Sequence, residues 1–317
     1  MSAIAFLFPG QGSQSVGMGK ELVAMHPAAR ETFDQADAAL GFKLSELCFA
    51  GPEEKLKLTE ITQPAILTVS VAALRVLREK GIMPAFAAGH SLGEYSAHVA
   101  AGTLSFEDAL RTVRHRGRYM QEVVPVGEGA MAAILGMPLE ELSHVCAEAA
   151  QGEVCSPANI NSPDQIVISG STRAVERAAE LAKQRGAKRA ILLPVSAPFH
   201  CSLLQPAQDK MAGELAQLKF HEMQIPVACN VDAQLVRTPE AARDALIRQV
   251  TGAVRWEPCM HHLMAHGAET FIEVGPGKVL CGLLRQIDRH KSCWNVEDEA
   301  SLQKAIHHLS TARTGAA

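Results

Sequence analysis

The chain of 317 residues is 47% hydrophobic and 20% charged, an ordinary globular composition that supports a large core. Its formal net charge of −4 excludes a global basic field that would attract nucleic acid or an anionic membrane. No uninterrupted apolar run reaches about 18 residues, so no membrane span is expected. The eight cysteines lie in apolar segments without a Cys-x-x-Cys pair, which predicts reduced core thiols in a cytoplasmic protein.

The first part of the chain alternates short apolar strands with helices. Residues 4–8 predict a buried strand that leads into a glycine-rich loop at residues 9–14. Helices are predicted at residues 19–25, 28–40 and 63–80, with Gly41 and Gly81 as stop signals. A capped start at Ser105 predicts a further helix that ends near residue 124.

The pattern changes between residues 127 and 194. It predicts strands and helices in the order β-α-β-β-α-β, which is typical of a ferredoxin-like split unit. Residues 195–317 return to helices, together with a strand at residues 270–274. The sequence therefore predicts an α/β core with a mostly parallel sheet, built from residues 1–126 and 195–317. Residues 127–194 would form a small inserted subdomain.

The pentapeptide Gly89-His90-Ser91-Leu92-Gly93 is the strongest chemical motif in the chain. A strand is predicted before it at residues 85–88, and a helix after it that stops at Gly102. A serine at a sharp strand-to-helix turn is typical of a nucleophile, and the N–H groups that follow it suit an oxyanion. The alternative is a strand-turn-helix junction with an incidental serine.

Nucleotide and metal sites have incomplete motifs. The P-loop pattern fails because Met18 stands where lysine is required, and the dinucleotide pattern fails because Ser15 replaces its third glycine. His262 and His266 have helical i, i+4 spacing but lack the glutamate of a His-Glu-x-x-His zinc motif. We therefore expect packed or solvated histidines and no metal site.

A serine nucleophile needs a base, and thirteen histidines are available. His200 is the favoured candidate because its loop directly follows the last predicted strand of the insert, at a domain junction. A serine hydrolase, such as an esterase or thioesterase, remains an alternative. Its histidine would lie near the C-terminus, where His290 or His307 could serve.

Five motifs occur in order along nearly the whole chain. They are Phe8-Pro9-Gly10-Gln11-Gly12-Ser13-Gln14, Gly89-His90-Ser91-Leu92-Gly93-Glu94-Tyr95, Arg116-Gly117-Arg118-Tyr119-Met120-Gln121, Pro198-Phe199-His200 and Glu273-Val274-Gly275-Pro276-Gly277. Together they resemble the malonyl-CoA:acyl carrier protein transacylases of bacterial fatty-acid synthesis, a family that includes polyketide synthase acyltransferase domains. The resemblance implies an α/β-hydrolase-like core with a mostly parallel sheet and an inserted ferredoxin-like subdomain.

The resemblance also implies roles for individual residues. Ser91 is the nucleophile that forms a malonyl ester, and His200 accepts its proton and returns it to the leaving thiolate. The backbone carbonyl of Gln249 orients His200. The backbone N–H groups of Gln11 and Leu92 form the oxyanion hole, for which the small neighbours of Gln11 leave space.

Two further residues are expected to select the acyl group. Arg116 offers a planar, permanently charged and bidentate partner for the free carboxylate of malonyl. Phe199 is expected to limit size at the malonyl α-carbon, because a phenylalanine here accompanies malonyl preference in related acyltransferases. A serine at this position often accompanies methylmalonyl preference.

The resulting hypothesis is malonyl transfer from coenzyme A to the phosphopantetheine thiol of acyl carrier protein, by a ping-pong mechanism without metal or other cofactor. An acidic carrier protein needs a local basic patch, for which Lys183, Arg185, Lys188 and Arg189 are candidates. A solvated helix end explains these four charges equally well. The remaining alternatives are an acyltransferase that serves polyketide synthesis and a non-catalytic docking module.

Overall fold

The computed structural model describes residues 3–125, 127–195 and 197–314. These residues form ten strands: β1 (Ala3–Phe8), β2 (Phe86–Gly89), β3 (Gly129–Leu135), β4 (Cys155–Ser162), β5 (Gln165–Ser171), β6 (Arg189–Leu192), β7 (Val227–Ala228), β8 (Leu235–Val236), β9 (Ala268–Val274) and β10 (Ser292–Val296). They also form fourteen α-helices: α1 (Lys20–Met25), α2 (Pro27–Leu40), α3 (Leu44–Ala50), α4 (Glu53–Leu56), α5 (Thr59–Glu79), α6 (Gly93–Ala100), α7 (Phe106–Val123), α8 (Leu139–Ala150), α9 (Thr172–Gln184), α10 (Gln205–Gln217), α11 (Pro239–Arg248), α12 (Trp256–Ala265), α13 (Val279–Ile287) and α14 (Glu299–Thr314).

The larger sheet has the strand order β10-β9-β1-β2-β7-β8. Every neighbouring pair is parallel except β7 with β8, so the predicted mostly parallel α/β sheet is confirmed. Strands β1 and β2 pair in a register that places Phe8 opposite Gly89. The loop after β1 and the turn after β2 therefore meet at the carboxyl edge of the sheet, where open α/β sheets bind ligands.

The smaller sheet has the order β4-β5-β3-β6 and is antiparallel throughout. Helices α8 and α9 pack against it through a separate apolar cluster that includes Ile134, Val145 and Ala178. The predicted β-α-β-β-α-β order is thus confirmed as a ferredoxin-like unit. Its boundaries at residues 127 and 194 stay a prediction, and Val126, the residue before the first boundary, lies outside the described part of the chain.

Helix α5 lies in the core and contacts β9 of the larger sheet. By length and composition it could cross a membrane, but 83% of its most apolar window is buried inside the protein, as expected of a core helix. Helix α7 packs closely against it at Gly117, where an added Cβ would lie 2.6 Å from the carbonyl oxygen of Thr59. This close approach carries the neighbouring Arg116 into the interior.

The motif at residues 273–277 positions helix α13. Glu273 at the end of β9 is fully buried, and its carboxylate accepts hydrogen bonds from the backbone N–H groups of Leu280 and Cys281 at 3.0 and 2.8 Å. A carboxylate at a helix N-terminus satisfies donors that have no intrahelical partner. Gly275 has a φ of +134°, and a Cβ there would lie 2.3 Å from the Ser70 hydroxyl.

The cysteine prediction was wrong for one pair. Cys281 on α13 and Cys293 on β10 form a disulfide with their Cα atoms 5.3 Å apart, because α13 packs beside β10 in the fold. The other six cysteines are free, and five of these are buried, as expected for core thiols. Cys281 and Cys293 lie twelve positions apart in apolar segments, and nothing in the sequence indicated that their side chains would be in contact.

Candidate active site

Ser91 lies at the turn between β2 and α6 with a φ of 52°, in the sparsely populated left-handed region. The flanking glycines allow this turn. A Cβ on Gly89 would lie 1.9 Å from the Gly93 carbonyl, and a Cβ on Gly93 would lie 2.0 Å from the Phe8 carbonyl oxygen. Both glycines are therefore required by backbone contacts, and the predicted strand-turn-helix context of Ser91 is confirmed.

His200 faces the serine. Its Nε2 atom lies 2.7 Å from Ser91 Oγ, while its Nδ1 atom lies 2.9 Å from the carbonyl oxygen of Gln249 and 3.1 Å from that of Gly252. Carbonyl oxygens only accept hydrogen bonds, so Nδ1 carries the proton and Nε2 presents its lone pair to the hydroxyl. This is the tautomer that a general base requires.

The loop that carries His200 rests on the start of β3. Gly129 leaves space for the ring of Pro198, since a Cβ at position 129 would lie 2.4 Å from that ring. His200 itself has a φ of 60° and is 3% exposed. Burial, with a smaller contribution from the positive charge of Arg116, lowers the pKa of His200 to about 3. The imidazole is therefore neutral near pH 7.

Arg116 is 1% exposed and lies beside the nucleophile. Its Nη1 donates to Gln63 Oε1 at 2.8 Å, and its Nη2 donates to Gln249 Oε1 at 2.9 Å and to Ser91 Oγ at 3.1 Å. Burial lowers the pKa of Arg116, but a guanidinium stays charged in proteins. No carboxylate among the described residues forms an ion pair with it. A buried cation with only neutral partners is costly, and an anionic ligand would relieve that cost.

A cavity of about 130 Å³ surrounds these groups and has room for a short acyl chain. Phe199 borders it beside the dyad, while Leu193 and Val195 contribute further apolar wall. Arg116 and Gln63 are among the polar residues of the lining, together with His90 and Asn159. The cavity therefore combines an apolar wall with a buried positive charge.

Gln11 and Leu92 border the same cavity. Their backbone N–H groups have no acceptor among the described residues, so both are available to a bound oxygen atom. The loop that contains Gln11 lies against the serine turn, because a Cβ on Gly10 would be 2.5 Å from the carbonyl oxygen of His90. Two free donors beside a nucleophile can stabilise a tetrahedral oxyanion.

A larger cleft of about 410 Å³ adjoins the cavity. Both spaces are bordered by Gln11, His90, Asn159 and Leu193. The cleft is lined by residues of β4 and β5 in the smaller sheet, by the loop after β1 and by α13. The shared lining connects the cleft to the space around Ser91.

Two supporting residues were missed by the sequence reasoning. Glu94 is fully buried, and its Oε2 accepts hydrogen bonds from Gln249 Nε2 at 2.7 Å and from the Asn230 N–H at 3.1 Å. The Asn230 side chain braces the turn by accepting from the Ser91 N–H at 2.7 Å and donating to the Gly89 carbonyl at 2.7 Å. The sequence contained a signal for Glu94, which is an acidic residue at the apolar start of α6. It contained no signal for Asn230, which follows a strand of only two residues.

The alternative bases lie elsewhere. His290 is exposed beyond α13, and His307 is on α14, so neither borders the cavity. The rings of His262 and His266 contact each other at a tilt of 38°, with centroids 4.3 Å apart. The described residues contain no group of three His, Cys, Asp or Glu side chains that could hold a metal ion.

Three of the four basic-patch candidates are paired with neighbouring acids. Lys183 pairs with Glu180, Arg185 with Glu148 and Lys188 with Asp164. Exposed pairs of this kind compensate local charge and contribute little to stability. The described residues offer no ion-pair partner for Arg189, which is exposed on β6.

The family model of the acyl transferase domain matches residues 5–313. The chain belongs to this acyl transferase family. The malonyl CoA-acyl carrier protein transacylase of Bacillus subtilis (strain 168) is 51% identical over 310 residues, or 98% of each protein. An acyl carrier protein S-malonyltransferase structure from Vibrio cholerae has a TM-score of 0.93 at 50% identity and covers 96% of this chain and 100% of its own. A malonyl-transacylase in complex with its type II PKS acyl-carrier protein has a TM-score of 0.95 at 47% identity. The match covers 97% of this chain and 100% of that transacylase chain.

Membership of the acyl transferase family confirms the resemblance carried by the five motifs. The structure brings together all seven predicted site residues: Gln11, Ser91, Leu92, Arg116, Phe199, His200 and Gln249. Six of them border the cavity, and Gln249 contacts both Arg116 and His200. Their roles in a reaction stay predictions.

Proposed function

We propose that this protein transfers the malonyl group from malonyl-CoA to the phosphopantetheine thiol of acyl carrier protein, in the cytoplasm and for fatty-acid synthesis. The observation that carries the proposal is the buried Arg116, which lies 3.1 Å from Ser91 Oγ and whose hydrogen-bond partners among the described residues are all neutral. An acyl group that bears a carboxylate supplies the missing anion. The names of the relatives and the continuous cleft support the same reaction.

In the first half-reaction, Ser91 Oγ attacks the thioester carbonyl carbon while its proton passes to Nε2 of His200. The carbonyl oxygen becomes an oxyanion, which the N–H groups of Gln11 and Leu92 stabilise. Each such donor lowers the barrier by about 3 kcal/mol. The tetrahedral intermediate then collapses, the C–S bond breaks, and the imidazolium returns its proton to the departing coenzyme A thiolate.

The second half-reaction reverses these steps with a different thiol. The phosphopantetheine arm of acyl carrier protein enters the cleft, and His200 takes the proton of its thiol. The sulfur attacks the malonyl ester, and Ser91 leaves with the proton returned by His200. Coenzyme A leaves before the carrier-protein thiol attacks the covalent malonyl-Ser91 ester, so the mechanism is ping-pong. The steps described use only side chains and backbone groups of the protein and no metal or other cofactor.

The test is the fate of the acyl group after the protein is mixed with malonyl-CoA. Intact-mass spectrometry is expected to find a lasting malonyl adduct that disappears when phosphopantetheinylated acyl carrier protein is added. Malonyl-acyl carrier protein should form at the rate at which the adduct disappears. Rapid release of free malonate without a lasting adduct would instead identify a serine hydrolase. Parallel assays with fatty-acid and polyketide carrier proteins determine which acceptor is used.

Replacing Arg116 by alanine is expected to reverse acyl preference. Without the cation the malonyl carboxylate is buried unpaired, which costs roughly 2–5 kcal/mol, whereas acetyl has no such charge. Malonyl kcat/KM should fall by about 30-fold or more on that scale, while acetyl kcat/KM holds or rises. Rates measured with both coenzyme A esters check this. Arg114 lies on the same helix outside the cavity, so Arg114→Ala serves as the control. Equal losses for both acyl groups would make Arg116 structural.

Replacing Phe199 by serine is expected to relax the size limit at the acyl α-carbon. Phe199 borders the cavity, so an added methyl group on the substrate meets its ring, and overpacking costs about 1–3 kcal/mol. The wild type should disfavour methylmalonyl-CoA, and the variant should narrow that gap. The ratio of malonyl to methylmalonyl kcat/KM measures the effect. Phe199→Leu, which keeps an apolar side chain, is the matched comparison. An unchanged ratio in Phe199→Ser would exclude the selectivity role.

The low pKa of His200 predicts a shifted pH profile. Because the base acts when neutral, a pKa lowered from the usual 6.5 to about 3 keeps it active as the pH falls. We expect malonyl loading to stay level between about pH 8 and pH 6, whereas an ordinary imidazole loses about tenfold per pH unit below its pKa. Single-turnover loading across this range measures it. A loading rate that falls to half of its maximum near pH 6.5 would contradict the low pKa of His200.

A further inference from the structure

The side chain of Gln249 lies between a buried cation and a buried acid. Its amide oxygen accepts the hydrogen bond from Arg116 Nη2 at 2.9 Å. Its amide nitrogen donates to Glu94 Oε2 at 2.7 Å and to the carbonyl oxygen of Ser91 at 2.9 Å. Arg116, Glu94 and Gln249 are each 1% exposed or less, so water does not substitute for these contacts.

The two charged groups determine which way the amide points. A guanidinium only donates hydrogen bonds, so it needs the amide oxygen, and an ionised carboxylate only accepts them, so it needs the amide nitrogen. The reversed amide would direct its N–H groups at Arg116 and its oxygen at the carboxylate. In a buried site such mismatched pairs cost more than a lost hydrogen bond, because no solvent satisfies the groups.

Hydrogen bonds to Oε2 fix the position of the Glu94 carboxylate. Its Oε2 also accepts from the backbone N–H of Asn230 at 3.1 Å, while its Oε1 has no hydrogen-bond partner among the described residues. Burial raises the pKa of Glu94 to about 7, against the opposing effect of its hydrogen bonds and of Arg116. A proton on the unpartnered Oε1 would leave both hydrogen bonds of Oε2 in place. The contact with Gln249 therefore does not require the negative charge.

We propose that Glu94 is a positioning residue for acyl selectivity: by fixing the amide of Gln249, it holds Arg116 where the carboxylate of the acyl group binds. The inference rests on the proposed function. Glu94 itself touches neither the cavity nor the nucleophile's hydroxyl, and it acts through Gln249. Because the charge of Arg116 favours an acyl group that carries a carboxylate, disturbing Glu94 should affect malonyl more than acetyl.

The test compares Glu94→Ala with Glu94→Gln. In Glu94→Ala the amide nitrogen of Gln249 loses one of its two acceptors, and only the Ser91 carbonyl still holds it. Malonyl kcat/KM should fall about tenfold further than acetyl kcat/KM, the effect of one unsatisfied buried group. In Glu94→Gln the new amide oxygen accepts from the same two donors, so the malonyl-to-acetyl ratio should stay within about threefold of wild type. Rescue of the ratio by glutamine separates positioning from charge.

A matched control removes a buried carboxylate that serves another purpose. Glu273 is equally buried and its pKa is likewise raised to about 7, but it caps α13 and has no contact with Gln249. Glu273→Ala should lower thermal stability and leave the malonyl-to-acetyl ratio near the wild-type value. If Glu94→Ala does not fold, Glu94→Asp replaces it, because the shorter side chain withdraws the carboxylate from Gln249.

A double-mutant cycle with Gln249→Ala tests whether Glu94 acts through Gln249. That variant keeps the backbone carbonyl that orients His200 and removes only the amide, so adding Glu94→Ala to it should change the ratio no further. Additive effects, proportional losses for both acyl groups, or a failure of Glu94→Gln to exceed Glu94→Ala would each overturn the inference. Each of these outcomes leaves malonyl transfer by the wild type intact. Failure of the proposed function is distinct, since the wild type would then form no malonyl ester.

Discussion

Ser91→Ala is expected to abolish the acyl-enzyme while the fold remains intact. The hydroxyl is the group in the cavity placed to attack a carbonyl, since it lies 2.7 Å from a neutral imidazole and next to two free N–H donors. Digestion and mass spectrometry after exposure to malonyl-CoA should find no acylated peptide in the variant. The unfolding temperature should change by about 4–8 °C, since the hydroxyl has two hydrogen bonds that are worth about 1 kcal/mol each.

Ser96→Ala is the matched control for this loss. Ser96 lies on the helix that follows the nucleophile, is fully buried, and has no hydrogen-bond partner for its hydroxyl among the described residues. Ser96→Ala removes a buried hydroxyl outside the cavity, so its acyl-enzyme should form normally. A malonyl adduct that still formed in Ser91→Ala would place the nucleophile at another residue.

The local parts of this site could be predicted from the sequence because short-range rules determine them. The strand, turn and helix around Ser91 follow from two glycines whose substitution would create backbone clashes. The ferredoxin-like insert followed from the order of its predicted elements, and the structure has that order. The parallel neighbours β1 and β2 then bring the Gln11 loop to the serine turn without further information.

The parts that were missed depend on contacts between distant segments. Glu94 and Gln249 are 155 positions apart, and their hydrogen bond follows from packing that no periodicity encodes. Strands β7 and β8 have two residues each, too few for an alternating pattern. The Cys281–Cys293 disulfide likewise depends on the placement of α13 beside β10. Local sequence patterns do not predict contacts between distant residues that form only in the complete fold.

His200→Ala is expected to lower single-turnover acyl loading by about 10³-fold or more, because Ser91 then keeps its proton during attack. The loss follows from geometry, since Nε2 is the base within hydrogen-bond distance of the hydroxyl and Nδ1 is fixed by two carbonyl oxygens. Added imidazole should restore part of the rate by entering the space left by the side chain. Loading is measured by rapid quenching and mass spectrometry, which separates chemistry from product release.

His98→Ala distinguishes loss of the base from loss of a buried ring. His98 lies on α6, is fully buried, and has no hydrogen-bond partner on either ring nitrogen among the described residues. Burial lowers its pKa to about 3, as for His200, so the two imidazoles share burial and charge state and differ in their contact with Ser91. His98→Ala should lower stability and retain loading within about tenfold of wild type, the scale of a packing defect felt at a distance. Equal losses in the two variants, without rescue by imidazole, would remove His200 from the role of base.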